Sequence, residues 1–314
     1  VFKMKIYSSL IVFLFIVHSA FSQTPALKAL QSAEALAVKG KYKQAIDILD
    51  KLLSSENSST AIINKTTYQF ALKDYEAGFI NLNNGIELMP DSVELYMFRG
   101  NMLEKARLFK EAIADYTKGY LKSKNDTTAA AFLSNRGGTK ANILDYQGGY
   151  KDLLLSIKLD STNVNSYINI APICNHLGKN EESVLYLKKA IVLDSLNVGT
   201  YVNIGYCYQN MDKHKLAIEA FDKAIQLNPN EALGYSNRAY SKYKLNDLNG
   251  ATSDINKSLK LFPTNSYAYK IRALIEFAEG KTKAGCEDIT KAIELGYITQ
   301  YGNEVLELQA KYCK

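Results

Sequence analysis

From residue 26 to residue 299 the sequence repeats itself about every 34 residues. The predicted repeats, numbered 1 to 8 in chain order, are residues 26–58, 59–92, 93–126, 130–163, 164–197, 198–231, 232–265 and 266–299. A short insertion, residues 127–129, precedes repeat 4. A small unit repeated at this interval buries too little apolar surface alone and is stabilised by its neighbours. The period therefore predicts one array of stacked units, over residues 23–299, in place of separate globular domains.

Three positions of each repeat hold side chains of constant size. At the eighth position the side chains are small: Ala33, Thr66, Gly100, Gly137, Ala171, Gly205, Ala239 and Ala273. At the twentieth they are again small: Ala45, Gly78, Ala112, Gly149, Ser183, Ala217, Ala251 and Gly285. At the twenty-fourth they are large: Leu49, Leu82, Tyr116, Leu153, Leu187, Phe221, Ile255 and Ile289. Because small residues let helices approach closely and large ones fill the space beside the crossing, the pattern predicts a packed helix pair in each repeat.

Turn-forming residues fall at the expected ends of these helices. The first helix of five repeats is predicted to stop at Gly40, Gly178, Asp212, Asn246 and Gly280. These residue types tolerate the left-handed conformation that ends many helices. The second helix is predicted to stop before Pro90, Pro229 and Pro263, because proline cannot continue a helix.

Repeat 6 has the fullest set of these residues: Tyr201, Ile204, Gly205, Tyr208, Ala217, Phe221, Ala224 and Pro229. At these positions they resemble the signature of the tetratricopeptide repeat, a helix hairpin of 34 residues. The resemblance extends over all the repeats. It implies an all-α fold, a right-handed α-solenoid of about eight helix hairpins. Residues 300–314 are expected to form a C-terminal capping helix over the apolar end of repeat 8.

The first 22 residues have the layout of a secretory signal peptide. Lys3 and Lys5 precede an apolar stretch, and Ala20-Phe21-Ser22 is a small-x-small cleavage pattern just before Gln23. The apolar stretch is shorter than the roughly 20 residues that span a bilayer. We therefore expect an exported protein, periplasmic or secreted after cleavage near Ser22 and Gln23. The alternative is an anchor that is never removed.

The four cysteines form two groups. Cys286 and Cys313 stand where many exported members of this repeat family end, and the resemblance implies a disulfide that holds the cap in an oxidising compartment. The alternative is two unpaired thiols. Cys174 and Cys207 occupy near-equivalent places in consecutive repeats, where they would either pair or be buried separately in the core.

No pattern in the sequence indicates catalysis or a cofactor. A nucleophile elbow, an HExxH sequence and a P-loop are all missing, and three histidines and four cysteines supply little material for a metal site. The net charge of +6 is spread along the chain, which argues against a nucleic-acid partner. No second long apolar stretch follows the signal, so no membrane span is expected in the mature protein. We predict no enzyme activity, no cofactor, no metal and no small-molecule substrate.

The resemblance implies that the first helix of each repeat lines the inner, concave face. The sixth position there is a column of amides: Asn64, Asn135, Asn169, Asn203 and Asn237. An amide has donors and an acceptor for the backbone of an extended peptide, and tyrosine adds contact area. The predicted peptide-binding residues are Asn135, Asn169, Pro172, Asn203, Tyr206, Asn237 and Tyr240. The alternative is that the asparagines bond the neighbouring helix and only support the array.

Two further features bear on this face. Pro172 lies inside a predicted helix, where it leaves the carbonyl of Ile168 without its usual partner. The seventh position holds Arg99, Arg136, Arg238 and Arg272. These arginines are expected either to pair with acids of the next repeat or to receive a ligand carboxylate.

The sequence thus predicts an exported, non-catalytic scaffold that binds an extended peptide or a partner protein in its groove. The alternative function is a structural or assembly adaptor of an envelope complex that uses its convex face and its ends. Fold alone does not decide between them, because arrays of this kind serve many partners.

Overall fold

The computed structural model describes residues 24–313, which form helices and no strands. The predicted signal peptide and its cleavage junction lie outside the described residues. The described residues divide into two compact bodies, residues 24–90 and residues 91–313, which we call the N-terminal and C-terminal bodies. The all-α prediction is confirmed.

Each repeat contributes two antiparallel helices. Those of the N-terminal body are α1 (Pro25–Val38), α2 (Tyr42–Leu53), α3 (Ser59–Ala71) and α4 (Tyr75–Leu88). Repeats 3 to 5 form α5 (Val93–Lys105), α6 (Phe109–Lys122), α7 (Asp126–Asn142), α8 (Tyr146–Leu159), α9 (Val164–His176) and α10 (Asn180–Leu193). Repeats 6 to 8 form α11 (Val198–Asn210), α12 (His214–Leu227), α13 (Ala232–Lys244), α14 (Leu248–Leu261), α15 (Ser266–Ala278) and α16 (Thr282–Glu294). The chain then forms α17 (Tyr297–Tyr301) and α18 (Glu304–Tyr312).

The side chains at positions 8, 20 and 24 form the core of every hairpin, where all of them are buried. A Cβ added to Gly100 would lie 2.6 Å from the Tyr116 ring, and one added to Gly205 would lie 2.4 Å from the Phe221 ring. Where position 24 is aromatic, position 8 is therefore glycine, because no other residue leaves room for the ring.

Each of the eight first helices is followed by a residue with left-handed backbone conformation, which is Gly40, Gly178, Asp212, Asn246 or Gly280 in five of them. Lys73, Arg107 and Leu144 adopt the same conformation in repeats 2 to 4, with φ of 64°, 62° and 65°. An L-residue with a Cβ has a conformational cost of roughly 1 kcal/mol there, and the hairpin geometry imposes it on these three.

Asparagine and aspartate begin many of the helices. Side chains of Asn125, Asn163, Asn197 and Asn265 accept a hydrogen bond from the backbone N–H three residues later. This cap supplies a partner for an amide that the helix itself leaves unpaired. The insertion before repeat 4 lies within α7, so it lengthens that helix to 17 residues instead of forming a loop.

The C-terminal end is more elaborate than the single capping helix that the sequence predicts. Gly302, with φ of 93°, separates α17 from α18. Val305 and Tyr297 are buried with Ala273, Ile289 and Ala292 of repeat 8. The rings of Phe277 and Tyr312 stack with their centroids 4.2 Å apart. The apolar end of repeat 8 is thereby covered.

The structure pairs Cys286 of α16 with Cys313, just after α18, as a disulfide with the Cα atoms 5.6 Å apart. Cys174 and Cys207 are unpaired and buried. The Cys207 thiol is within hydrogen-bonding distance of Ser183 Oγ, at 3.0 Å, and of Asn175 Oδ1, at 3.4 Å.

Candidate functional site

The first helices of the C-terminal body lie on the inside of its curvature. Each of α7, α9, α11 and α13 contacts the next first helix along the chain, whereas contacts between successive second helices are far sparser. The residues that project from the first helices therefore share one surface, which we call the inner face. Asn64 lies in the N-terminal body and is not part of this surface.

Two of the column asparagines hold neighbouring repeats together. The Asn135 amide nitrogen donates to Asn101 Oδ1 at 3.2 Å and lies 3.1 Å from the sulfur of Met97. The Asn169 amide nitrogen donates to Ser134 Oγ at 3.5 Å. Both contacts go to the preceding repeat, so these amides support the array through their nitrogen atoms.

The remaining column residues make no such link. Asn237 donates to the carbonyl of Leu233 in its own helix, at 2.9 Å. Among the described residues, the Asn203 side chain has no hydrogen-bond partner, and the amide oxygens of Asn135, Asn169 and Asn237 accept no hydrogen bond. The column thus presents acceptors that the fold itself does not use.

Pro172 and Tyr206 are exposed on adjacent first helices. Helix α9 runs through Pro172 without a break from Val164 to His176. The Tyr206 side chain is 48% exposed. Tyr240, at the equivalent place in repeat 7, is half-buried, and its ring centroid lies 6.0 Å from that of His214 in a T-shaped arrangement. Burial, and after it the charge of Glu304, raises the pKa of the Tyr240 hydroxyl.

The arginines at position 7 pair with an acid of their own repeat, and Arg238 pairs also with Asp222 of the preceding repeat, so the expectation of acids in the next repeat is wrong. Each binds through two nitrogens, at 2.5–2.7 Å, to an aspartate 16 residues later: Arg99 to Asp115, Arg136 to Asp152, Arg238 to Asp254 and Arg272 to Asp288. The fork of each guanidinium is used in this pairing, which joins the two helices of one hairpin. These arginines are structural and do not await a ligand carboxylate.

Repeats 5 and 6 lack this ion pair. Ile170 and Ile204 take the place of the arginine, and Tyr186 and Ala220 take the place of the aspartate. Both isoleucines are buried. The exposed Pro172 and Tyr206 therefore lie on the two repeats of the C-terminal body that have no arginine–aspartate pair between their helices.

The sequence interpretation missed a cluster around Lys270, on the inner face of repeat 8. The Lys270 Nζ atom lies 2.8 Å from Glu304 Oε1, and its side chain is 5% exposed. It also lies 5.5 Å from the ring centroid of Tyr240 and 5.9 Å from that of Tyr267. The hydroxyl of Tyr297 donates to the other oxygen of Glu304 at 3.1 Å. One signal existed, because Lys270 is the only cation at the fifth position in repeats 3 to 8.

The described residues show neither a cluster of metal ligands nor an activated cysteine. Within residues 24–313, no set of three or more histidine, cysteine and acidic side chains is placed to hold a metal ion. Burial raises the pKa of the Cys174 thiol to about 12 and also raises that of Cys207, so neither is an activated nucleophile. No helix in the described part of the chain has both the length and the apolar character of a membrane crossing.

Residues 164–195 and residues 199–231 match family profiles of the tetratricopeptide repeat. None of the curated proteins matches the chain significantly in sequence. The structure of the APC/C hetero-tetramer Cut9–Hcn1 is similar, with a TM-score of 0.64 and 14% identity, over 89% of this chain and 54% of that one. A tetratricopeptide repeat protein from Parabacteroides merdae has a TM-score of 0.56 and 14% identity, over 91% of this chain and 98% of that one. At these identities the likeness concerns the fold alone.

Proposed function

We propose that this chain, which is a tetratricopeptide-repeat protein, is a non-catalytic scaffold that binds an extended peptide or a segment of a partner protein. The proposed site is the inner face of the C-terminal body. The observation that carries the proposal is the set of unused amide oxygens on Asn135, Asn169 and Asn237 beside the exposed Pro172 and Tyr206.

The chemistry of this surface suits a peptide main chain. An extended peptide presents backbone N–H groups that need acceptors, and a row of amide oxygens on successive repeats supplies them whatever the peptide sequence. Tyr206 and Tyr240 add aromatic surface at low entropy cost, which gives contact area and a preference for apolar side chains. Within the C-terminal body, Asn203 is the column residue whose side-chain nitrogen and oxygen both have no hydrogen-bond partner.

A binding measurement on paired variants tests the site. Dodecapeptides selected by display against the wild-type chain are labelled, and their affinities are measured by fluorescence anisotropy. We expect Asn169→Ala/Asn203→Ala and Tyr206→Ala each to weaken binding about tenfold or more, a change of about 1.4 kcal/mol. The matched control is Asn249→Ala/Asn256→Ala, which removes two exposed amides from the second helix α14.

The proposal predicts that the control binds like wild type and that circular dichroism shows every variant folded. If the inner-face variants fold and bind the peptides with unchanged affinity, the inner face is not the binding site. Selected peptides should also displace a natural partner captured by the chain, because both would occupy the same groove.

One observation favours the alternative function, an adaptor that uses its outer surface. Leu185 and Val192 project from the same side of α10, and both they and Leu196 are largely exposed. Such apolar residues on a second helix are a feature of protein contact surfaces. A partner held there would resist the selected peptides and would be lost on Leu185→Ser/Val192→Ser.

We also propose that the protein is exported and oxidised. The support is the signal-like residues 1–22 and the pairing of Cys286 with Cys313. Mass spectrometry of the protein isolated from its natural source tests both parts. The expected results are an N-terminus at Gln23 and a linked peptide pair; an intact leader or free thiols would contradict them.

A further inference from the structure

The Lys270–Glu304 pair is asymmetric in its exposure to solvent. The Lys270 side chain is 5% exposed, whereas the Glu304 side chain is 51% exposed. Glu304 is the only carboxylate that pairs with Lys270 among the described residues. A buried ammonium without a counter-charge is strongly unfavourable, because it has lost water and gained nothing in return. The inner face of repeat 8 therefore requires an anion at this place.

The segment that supplies the anion lies over the inner face. The ring centroid of Tyr301, in this segment, lies 5.7 Å from that of Tyr267 in repeat 8 and 5.0 Å from that of Tyr297. Tyr267 and Lys270 hold the second and fifth positions of repeat 8, which belong to the inner face. Residues 297–304 thus occupy this end of the inner face as a bound peptide would.

The segment is anchored at its two ends, by Tyr297 in the core of repeat 8 and by the ion pair of Glu304 with Lys270. Of the side chains in α17 and α18, only Tyr297 and Val305 are buried. Gly296 and Gly302, with φ of 84° and 93°, bracket the residues of α17. The covalent restraint is the disulfide that joins Cys313, after α18, to Cys286.

We propose that the inner face of repeats 7 and 8 is a second binding surface, whose partner is an acidic segment that contains tyrosine, and that residues 297–304 are its resident occupant. A partner carboxylate replaces Glu304 on Lys270, and a partner aromatic side chain replaces Tyr301 against Tyr267. The disulfide keeps the resident segment in place, so its reduction favours exchange. This proposal rests on the proposed function only in that both ligands are peptides.

The resident segment itself supplies the probe. A fluorescein-labelled peptide with the sequence of residues 297–304, Tyr-Ile-Thr-Gln-Tyr-Gly-Asn-Glu, is titrated into the full chain, and anisotropy gives the affinity. We expect Cys286→Ser/Cys313→Ser and Glu304→Gln each to bind it about tenfold or more tightly than wild type, because the internal competitor is weakened. Adding Lys270→Met to either background abolishes binding, and a probe with glutamine in place of its glutamate fails to bind.

The controls separate this surface from the amide column. Asn169→Ala/Asn203→Ala, added to the cysteine variant, should leave binding of the probe unchanged, although it weakens the display-selected peptides. Circular dichroism and thermal melting confirm that each variant is folded. Equal binding by wild type and the cysteine variant, no binding by either, or binding that survives Lys270→Met would each overturn the proposal.

Discussion

The residue at position 11 of the repeat sets the charge beside the arginine–aspartate pair. In repeats 4 and 7 this position is Lys140 or Lys242, each 2.8 Å from the aspartate that also binds the arginine. In repeat 8 it is Glu276, near Asp288. One oxygen of Glu276, Oε2, is buried and has no hydrogen-bond partner. Burial, followed by the charge of Asp288, raises the pKa of Glu276 from 4.5 to about 7.

This carboxyl should make the stability of repeat 8 depend on pH. Because the folded pKa is the higher one, the folded state binds the proton more tightly than the unfolded state does. The free energy of unfolding therefore falls as pH rises from about 4.5 to about 7 and is level above that. The side chain is partly solvated, which reduces the effect to about 1 kcal/mol. Urea denaturation at pH 5 and pH 8 measures it.

Glu276→Gln should remove this part of the pH dependence and stabilise the protein at pH 8. Glu276→Lys, which restores the residue type of repeats 4 and 7, should stabilise it at least as much. Glu287→Gln is the matched control, because Glu287 is exposed on the next helix. A pH profile that is identical in wild type and Glu276→Gln would show that Glu276 does not act in this way.

At the scale of helices, the pairing of positions 8 and 24 sets how closely the two helices of a hairpin approach. Gly205→Ala should lower the free energy of unfolding by about 1–3 kcal/mol, because the new methyl group would overlap the Phe221 ring. Phe221→Leu alone should also destabilise, because it leaves a cavity.

The double variant Gly205→Ala/Phe221→Leu recreates the combination of Ala171 with Leu187 in repeat 5. Its cost should therefore be smaller than the sum of the two single costs, by about 0.5–3 kcal/mol. A double-mutant cycle from urea denaturation gives this coupling energy. Strict additivity would mean that the glycine and the ring are not matched to each other.

Pro172 lowers the stability of helix α9. It interrupts the hydrogen bond to Ile168 inside α9, a defect that costs about 3 kcal/mol in a regular helix. Proline also rigidifies the unfolded chain, which returns about 0.4–1 kcal/mol. Pro172→Ala should therefore raise the free energy of unfolding by about 2–3 kcal/mol.

The control for this prediction is Pro263→Ala. Pro263 follows the end of α14 and is exposed, so its replacement should give no gain. Urea denaturation followed by circular dichroism measures both variants. A destabilised Pro172→Ala would mean that the surrounding helices are shaped to fit the proline. Weaker binding of display-selected peptides by this variant would link that shape to the groove.

At the scale of the whole molecule, each repeat of the C-terminal body packs against its neighbours in sequence. Stability in such an array is close to a sum of local terms, so a disturbance at one end remains near that end. In Cys286→Ser/Cys313→Ser we expect faster amide hydrogen exchange in α15 to α18, with a local loss of about 2–4 kcal/mol.

Helices α5 to α8 should exchange at wild-type rates in the same variant. Hydrogen exchange with mass spectrometry, resolved by peptide, makes the comparison within one sample. Acceleration throughout the C-terminal body would instead show that it unfolds as a single cooperative unit, and the local description would be wrong.

The repeat pattern is enough to specify the helix hairpins and their core. Positions 8, 20 and 24 recur in every repeat, so eight copies of one pattern identify the buried residues without coordinates, and the structure buries all of them. The pairing of arginine with an aspartate 16 residues later was also readable, because it recurs in four repeats. The pairing is visible only when the four repeats are compared at both positions.

The roles of residues outside the repeat pattern depend on how the folded chain packs. The left-handed turns at Lys73, Arg107 and Leu144 come from hairpin geometry and not from residue type. Which amide atom of Asn135 or Asn169 is occupied depends on a neighbouring repeat. The meeting of Lys270 with Glu304 depends on a terminal segment that occurs once, so no second copy reveals its place. Repetition makes local packing predictable, whereas contacts between unlike segments are fixed only when the chain folds.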